Sequence, residues 1–178
     1  MAQAVGNALA PRWRPRKRLW LLLGMGLAGW AVYGALREWR NAHAFLINRT
    51  DSLPNWAFLI HRTKKPARGD YIFFTAPTNA LVTRHFGASP PMFGKLVYGM
   101  PGDVVSHQGA VVRVNGRPVA RMKARTRWGE VLTPGPTGVI PQDCYYVGTP
   151  HKDGFDSRYA EIGLVCVRQI IGTGEPVL

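Results

Sequence analysis

The sequence predicts a mainly β protein, in which a single N-terminal transmembrane helix precedes a compact antiparallel β-sheet or barrel-like domain. Three observations carry this. The 178-residue chain has one long apolar run, residues 19–36. Beyond it, no segment repeats apolar residues at helical spacing. The remaining chain is a series of short β-rich runs between Pro, Gly, Asn and Asp, including an Asn115-Gly116 pair suited to a type I′ hairpin turn. Apolar residues make up 46% of the chain, enough to build a packed core.

Charge sets the direction of the N-terminal element. The chain has a net charge of +13, and residues 1–44 hold seven basic residues against one acidic. Arg12, Arg14, Arg16, Lys17 and Arg18 stand directly before 18 uncharged, mostly apolar residues. At about 1.5 Å per residue, a helix of that length nearly matches a hydrocarbon core of about 30 Å. Trp20, Trp30, Tyr33 and Trp39 lie toward its ends, where amphipathic rings favour the headgroup region. The positive-inside rule then keeps the N-terminus in the cytoplasm and exports the remainder. The expected organisation is a basic cytoplasmic tail (1–18), a signal anchor (19–36), a link (37–47) and an exported domain (48–178). Two other readings compete. Ala42-His43-Ala44 is an A-x-A-like tripeptide of the kind that ends a cleaved signal peptide. A buried core helix is the second, and Gly24, Gly26, Gly29 and Gly34 speak against it.

The exported part reads as strand and turn. Residues 56–61 and 71–75 are β-rich, with Pro66 and Arg68-Gly69-Asp70 turning between them. Residues 77–92, with three prolines and a glycine, read as a loop or small excursion. Residues 95–98 are a short strand, 111–114 and 117–122 a hairpin, and 133–141 a second Pro/Gly-rich loop. Residues 144–147 and 162–171 read as late core strands. Cys144 and Cys166 fall in these last two runs. An exported domain permits a disulfide between them, and two buried free thiols are the alternative. Their spacing and the lack of CxxC pairs argue against zinc, and no metal or cofactor is expected.

Three segments hold residues capable of chemistry. The first is Asn48-Arg-Thr50-Asp-Ser52-Leu-Pro-Asn-Trp56. A serine before a proline is ordinarily a turn residue, and as a nucleophile it needs a base. The second is Gly94-Lys95-Leu-Val-Tyr-Gly-Met-Pro-Gly-Asp103. A lysine on a half-buried strand usually snorkels, but burial lowers its pKa and leaves an amine able to take a proton. The third, Gly148 to Gly163, contains Asp156 and Arg158, two residues apart.

Taken together and in order, these segments resemble the type I signal peptidases. That family has a serine motif soon after its anchor, then R-G-D, K-x-V-x-G-x-P-G-D, an N-G hairpin and D-S-R-Y. Here the matches are Ser52, Arg68-Gly69-Asp70, Lys95 through Asp103, Asn115-Gly116 and Asp156-Ser157-Arg158-Tyr159. The resemblance covers residues 48–171. The short chain and the Ser-Leu-Pro spacing look most like the TraF-like branch of conjugative transfer systems, whose members mature pilin precursors and in some cases close them into rings.

The resemblance implies roles. Ser52 attacks the scissile carbonyl, and Lys95 acts as general base and then as acid to the leaving amine. The Ser52 backbone N–H and the Thr50 hydroxyl donate to the oxyanion. Asp156 and Arg158 brace the floor of the site, with a more direct role for the aspartate in the TraF-like branch. The implied setting is a bacterial inner membrane with the catalytic domain in the periplasm, an exported precursor such as a pilin as substrate, lipid as a partner, and no nucleic acid. Two positions depart from the family pattern. Gly154 stands where a serine usually orients the lysine amine, and Gly148-Thr-Pro-His replaces G-D-N-R, which leaves Asp156, Ser157 or a water to hold Lys95. A histidine base drawn from His61, His85, His107 or His151 is the other mechanism. Phe45, Leu46, Trp56, Phe58, Phe86, Met92 and Phe93 are candidates for an apolar rim, with Phe58 expected in the core. Other function classes are a general signal peptidase, a non-catalytic envelope subunit, and a nucleic-acid or lipid-binding module built on Arg113, Arg117, Arg121, Lys123, Arg125 and Arg127, a pattern more often a solvated face.

Overall fold

A computed structural model describes residues 17–48 and 52–177. The chain divides into two compact units, Met1–Trp39 and Arg40–Leu178. The described part of the first unit is helical. Helix α1 runs Lys17–Ala42, with no side chain buried, and is long and apolar enough to cross a membrane. It continues past the predicted end of the apolar run because residues 35–42 contain neither Gly nor Pro and include strong helix formers.

Residues 37–47, expected to be a link, are instead the last turns of α1 and strand β1 (His43–Ile47). The strand forms because its residues alternate: Ala44 and Leu46 pack on Leu53, Phe58, Ile60 and Phe73, while Phe45 and Ile47 face outward. It pairs with β2 (Ala57–His61), which starts one residue later than predicted.

The chain continues with β3 (Tyr71–Phe74), helix α2 (Ala80–Phe86) and β4 (Phe93–Gly99). Then come β5 (Val104–Gln108), β6 (Val111–Val114), β7 (Arg117–Arg121) and β8 (Gly138–Val139). The last strands are β9 (Cys144–Gly148), β10 (Val165–Cys166) and β11 (Ile170–Pro176). All pairings are antiparallel. Seven strands lie in the order β1-β2-β11-β3-β4-β9-β10, and four in the order β7-β6-β5-β8.

The predicted hairpin is β6–β7, with Asn115 at φ 50° and Gly116 at φ 76°, the left-handed region that such a turn requires. Three expectations change. The Pro-rich excursion contains α2, capped by the Asn79 side chain, which accepts from the Val82 amide. Strand β8 lies inside the second loop. Residues 162–171 are not one strand: a 3₁₀ turn, Val167–Gln169, separates β10 from β11. Cys144 and Cys166, paired across β9 and β10, form a disulfide. Of the proposed rim residues, Phe58 and Phe93 are buried and Leu46 packs on the core, while Phe45, Trp56, Phe86 and Met92 are exposed.

Candidate active site

Ser52 lies in a turn just before β2, and the turn is fastened from several sides. The Asn48 side chain donates to the carbonyls of Leu53 (3.2 Å) and Asn55 (3.0 Å), and its backbone amide donates to the Trp56 carbonyl (2.7 Å). Leu53 is buried against Phe73 and the open face of Gly94. The Thr149 hydroxyl donates to the Ser52 carbonyl. Thr50, the expected second oxyanion donor, lies outside the described residues.

Lys95 is buried on β4, an interior strand of the seven-stranded sheet, on the same face as Phe93 and Val97. Strand β4 pairs with β9 through Leu96 and Gly148. Extending that antiparallel ladder by one residue sets Lys95 opposite Thr149, the residue that holds Ser52. Desolvation lowers the Lys95 pKa from the usual lysine value. The Asp156 carboxylate opposes that shift, and the Arg158 guanidinium adds to it.

Asp156 and Arg158 form a buried ion pair under this junction. Arg158 Nε donates to Oδ1 (2.8 Å) and Nη2 to Oδ2 (2.9 Å), a bidentate arrangement. Thr149 ties into both partners: its amide donates to Asp156 Oδ2 (3.1 Å), and its carbonyl accepts from Arg158 Nη2 (2.7 Å). Its hydroxyl also accepts from the His151 amide at 3.3 Å, which orients its proton toward Ser52.

Thr149 is the site residue that sequence reasoning missed. Its signal was the pair of departures in one loop, at positions that lie against each other in the structure. A Cβ on Gly154 would collide with the Thr149 methyl and lie 2.8 Å from Asp156 Oδ2 and 2.9 Å from Arg158 Nη2. The threonine occupies the space a serine at 154 would need. Ser157, one candidate to orient Lys95, accepts the Val147 amide on β9 (3.0 Å) and so serves the strand.

The histidines have other surroundings. His61 meets Glu175 at 3.2 Å and His85 meets Glu130. His107 lies on β5 in the second sheet, and His151 accepts the Asp153 amide at its Nδ1 (3.2 Å). Burial first, then Asp156, pushes the phenols of Tyr98 and Tyr146 upward, which keeps both protonated.

The remaining sequence motifs meet at a second, more open junction. Arg68 Nη2 donates to Asp103 Oδ2 (2.6 Å), and Arg68 Nη1 donates to the Tyr98 carbonyl. Asp103 also accepts from the Met100 amide (2.6 Å) and from Asn115 Nδ2 (2.7 Å). Three of the ordered sequence segments are thus tied together here, as a brace between the sheets.

A model described as signal peptidase, peptidase S26, matches residues 20–178. The chain belongs to the S26 signal peptidase family. It is also 28% identical, over 93% of both chains, to a probable conjugal transfer protein TraF of Sinorhizobium fredii (strain NBRC 101917 / NGR234). A crystal structure of signal peptidase I from Enterococcus faecalis V583 aligns with a TM-score of 0.39 and 24% identity, covering 62% of this chain and 97% of that one. As an S26 peptidase related to TraF, the protein is a serine peptidase of this family acting on a peptide substrate, with an N-terminal apolar helix fit for a membrane anchor.

Proposed function

We propose that this S26 peptidase cleaves an exported precursor, such as a conjugative pilin, with Ser52 as nucleophile and Lys95 as general base. The observation that carries the reading is Thr149. Its hydroxyl donates to the Ser52 carbonyl, its neighbour Gly148 pairs with Leu96 beside buried Lys95, and its backbone is bonded to the Asp156–Arg158 pair. A neutral amine in that place takes the Ser52 proton as Oγ attacks the scissile carbonyl. The Ser52 N–H and the Thr50 hydroxyl stabilise the oxyanion. The C–N bond then breaks, Lys95 returns the proton to the leaving amine, and a Ser52 ester remains. Water hydrolyses the ester, or the precursor's own amine attacks it and closes a ring. With Gly154 lacking a hydroxyl, Asp156 acts on Lys95 through its charge, which raises the amine's pKa against the desolvation that lowers it.

The helix stays on as a single-pass anchor in a bacterial inner membrane, N-terminus inside, with lipid as its partner and the catalytic domain in the periplasm. Two features support retention. Charged Arg37, Glu38 and Arg40 separate the apolar run from the A-x-A-like tripeptide, and Ala44 of that tripeptide is paired with Ile60 in the sheet. The similarity to a probable conjugal transfer protein supports a precursor of conjugative transfer over secreted proteins in general as the substrate.

Ser52→Ala abolishes processing of a candidate pilin precursor produced together with this protein, read by mass spectrometry; unchanged processing refutes the mechanism. A ring product is lighter by one water than the trimmed linear peptide. The pH profile tests the base. As pH rises through the lowered Lys95 pKa the amine deprotonates, so kcat climbs on a limb below the usual lysine range. Because Asp156 raises that pKa, Asp156→Asn moves the limb of the residual activity to lower pH.

A further inference from the structure

A cleft of about 450 Å³ opens between α2, the loop 123–132 and the residues just before Asp156. Its floor is a row of rings. Phe86 and Phe155 stack with centroids 6.2 Å apart, and Phe155 and Tyr159 at 6.1 Å. One wall is a built finger: Thr126 and Glu130 close it by a backbone bond of 2.9 Å, and the Thr126 hydroxyl accepts from the Trp128 and Glu130 amides. Near its tip, Trp128 stacks on His85 at 4.5 Å yet stays 70% exposed. A large indole held in a fixed pose and left open to water on one face is an unused contact surface.

The charges around the cleft do not balance. Glu130 is taken by Arg84 (2.9 Å) and His85, and Asp153 by Lys123. Arg125 donates to the Gly129 carbonyl (2.6 Å), and Arg127 lies over the Trp128 ring at 5.7 Å. Among the described residues, neither guanidinium meets a carboxylate. The cleft therefore offers an apolar, aromatic floor beneath two uncompensated cations.

We infer that this cleft is a second contact for the precursor, taking an extended segment in which aromatic or aliphatic side chains alternate with carboxylates. The inference rests on the peptidase reading for the occupant being part of the substrate. Continuity favours a peptide over other anionic partners. Gly154 and Phe155 line the cleft and lead directly into Asp156, so a chain lying in it comes within a few residues of the candidate site. The rings supply burial for apolar side chains, and Arg125 and Arg127 supply partners for the acids between them.

The full chain in detergent, carrying Ser52→Ala so that no cleavage intervenes, is titrated with a labelled decapeptide alternating Asp or Glu with Phe and Leu. Fluorescence anisotropy is read against the same peptide with Asn and Gln in place of the acids. The acidic peptide binds more tightly, and Arg125→Glu with Arg127→Glu, or Trp128→Ala, weakens it about tenfold, the scale expected for reversed or lost partners at a partly exposed site. Equal binding of both peptides, or indifference to these exposed substitutions, overturns the inference. So does binding only to a dT oligonucleotide or to phosphatidylglycerol vesicles. A second arm appends the acidic segment to a peptide spanning the expected cleavage site of a candidate precursor and offers both peptides to the Ser52 protein. The segment lowers KM in the native chain, and that advantage disappears in Arg125→Glu/Arg127→Glu. Cleavage without any such advantage overturns the cleft alone; binding without cleavage of either peptide overturns the peptidase reading and leaves the cleft as a peptide site.

Discussion

Arg158 meets Asp156 away from water, with side chains 2% and 0% exposed, whereas Arg68 meets Asp103 at the surface, 49% and 13% exposed. Both pairs join segments far apart in sequence through their further bonds, and both sit in motifs that mark the family. The medium separates their roles. In the buried pair both carboxylate oxygens of Asp156 are committed, to Arg158 and to Thr149, and losing one partner strands a charge with no solvent to replace it. In the exposed pair water can replace either partner, so the bond chiefly sets how the β6–β7 turn and the end of β4 lie together. The same two residue types make a preorganised floor in one place and a replaceable clasp in the other.

The most severe break is Asp156→Ala. It leaves Arg158 buried without a carboxylate and costs about 3–5 kcal/mol, read as a lower urea midpoint. Asp156→Leu combined with Arg158→Met recovers much of that stability, because a pair removed whole leaves no orphan charge, but does not recover cleavage. If the double variant is as unstable as the single, the buried pair is not the source of the cost. Thr149→Val comes next. It keeps the shape and removes the hydroxyl that donates to the Ser52 carbonyl and accepts from the His151 amide, so kcat falls about tenfold, KM holds, and stability drops by about 1–3 kcal/mol. Thr149→Ser restores the rate; a serine variant as slow as the valine one refutes the positioning role. The smallest effect is Arg68→Ala, about 1 kcal/mol or less in stability. Burial acts to raise the Asp103 pKa, but the bonds from the Met100 amide, Arg68 and Asn115 outweigh it and hold it below the usual value. A lowered aspartate contributes stability in full above the unfolded value of about 3.9, and loses it as pH falls through the folded one. The wild type and Arg68→Ala therefore converge in stability in acid, measured by urea titration from neutral pH downward.

Short-range features were legible in the sequence. The basic cluster before residues 19–36 and the Asn115-Gly116 turn depend on neighbours within a few positions, and both the apolar helix and the hairpin formed. Helix α2 was hidden because its seven residues sit among prolines and owe their start to Asn79, whose side-chain amide also donates to the Glu161 carbonyl. Strand β5 was hidden because Ser106, His107 and Gln108 dilute its apolar pattern. For the site, residue types could be read but not their ties. Thr149 reaches Ser52 across 97 positions, and Arg68 reaches Asp103 across 35. Gly154 looked like a missing hydroxyl, because a sequence reports what a residue lacks and not what fills the vacated space.

Cys144 begins β9 and Cys166 ends β10, a separation of 22, and Thr149, Gly154, Asp156, Ser157 and Arg158 all lie between the two halves of the disulfide. In the unfolded chain this stretch is already a closed ring, which removes about 3 kcal/mol of loop entropy from the denatured state. A peptide bond cut anywhere inside the ring releases no fragment. Both new ends stay covalently tethered, so Thr149 and the Asp156–Arg158 pair remain in one covalent unit.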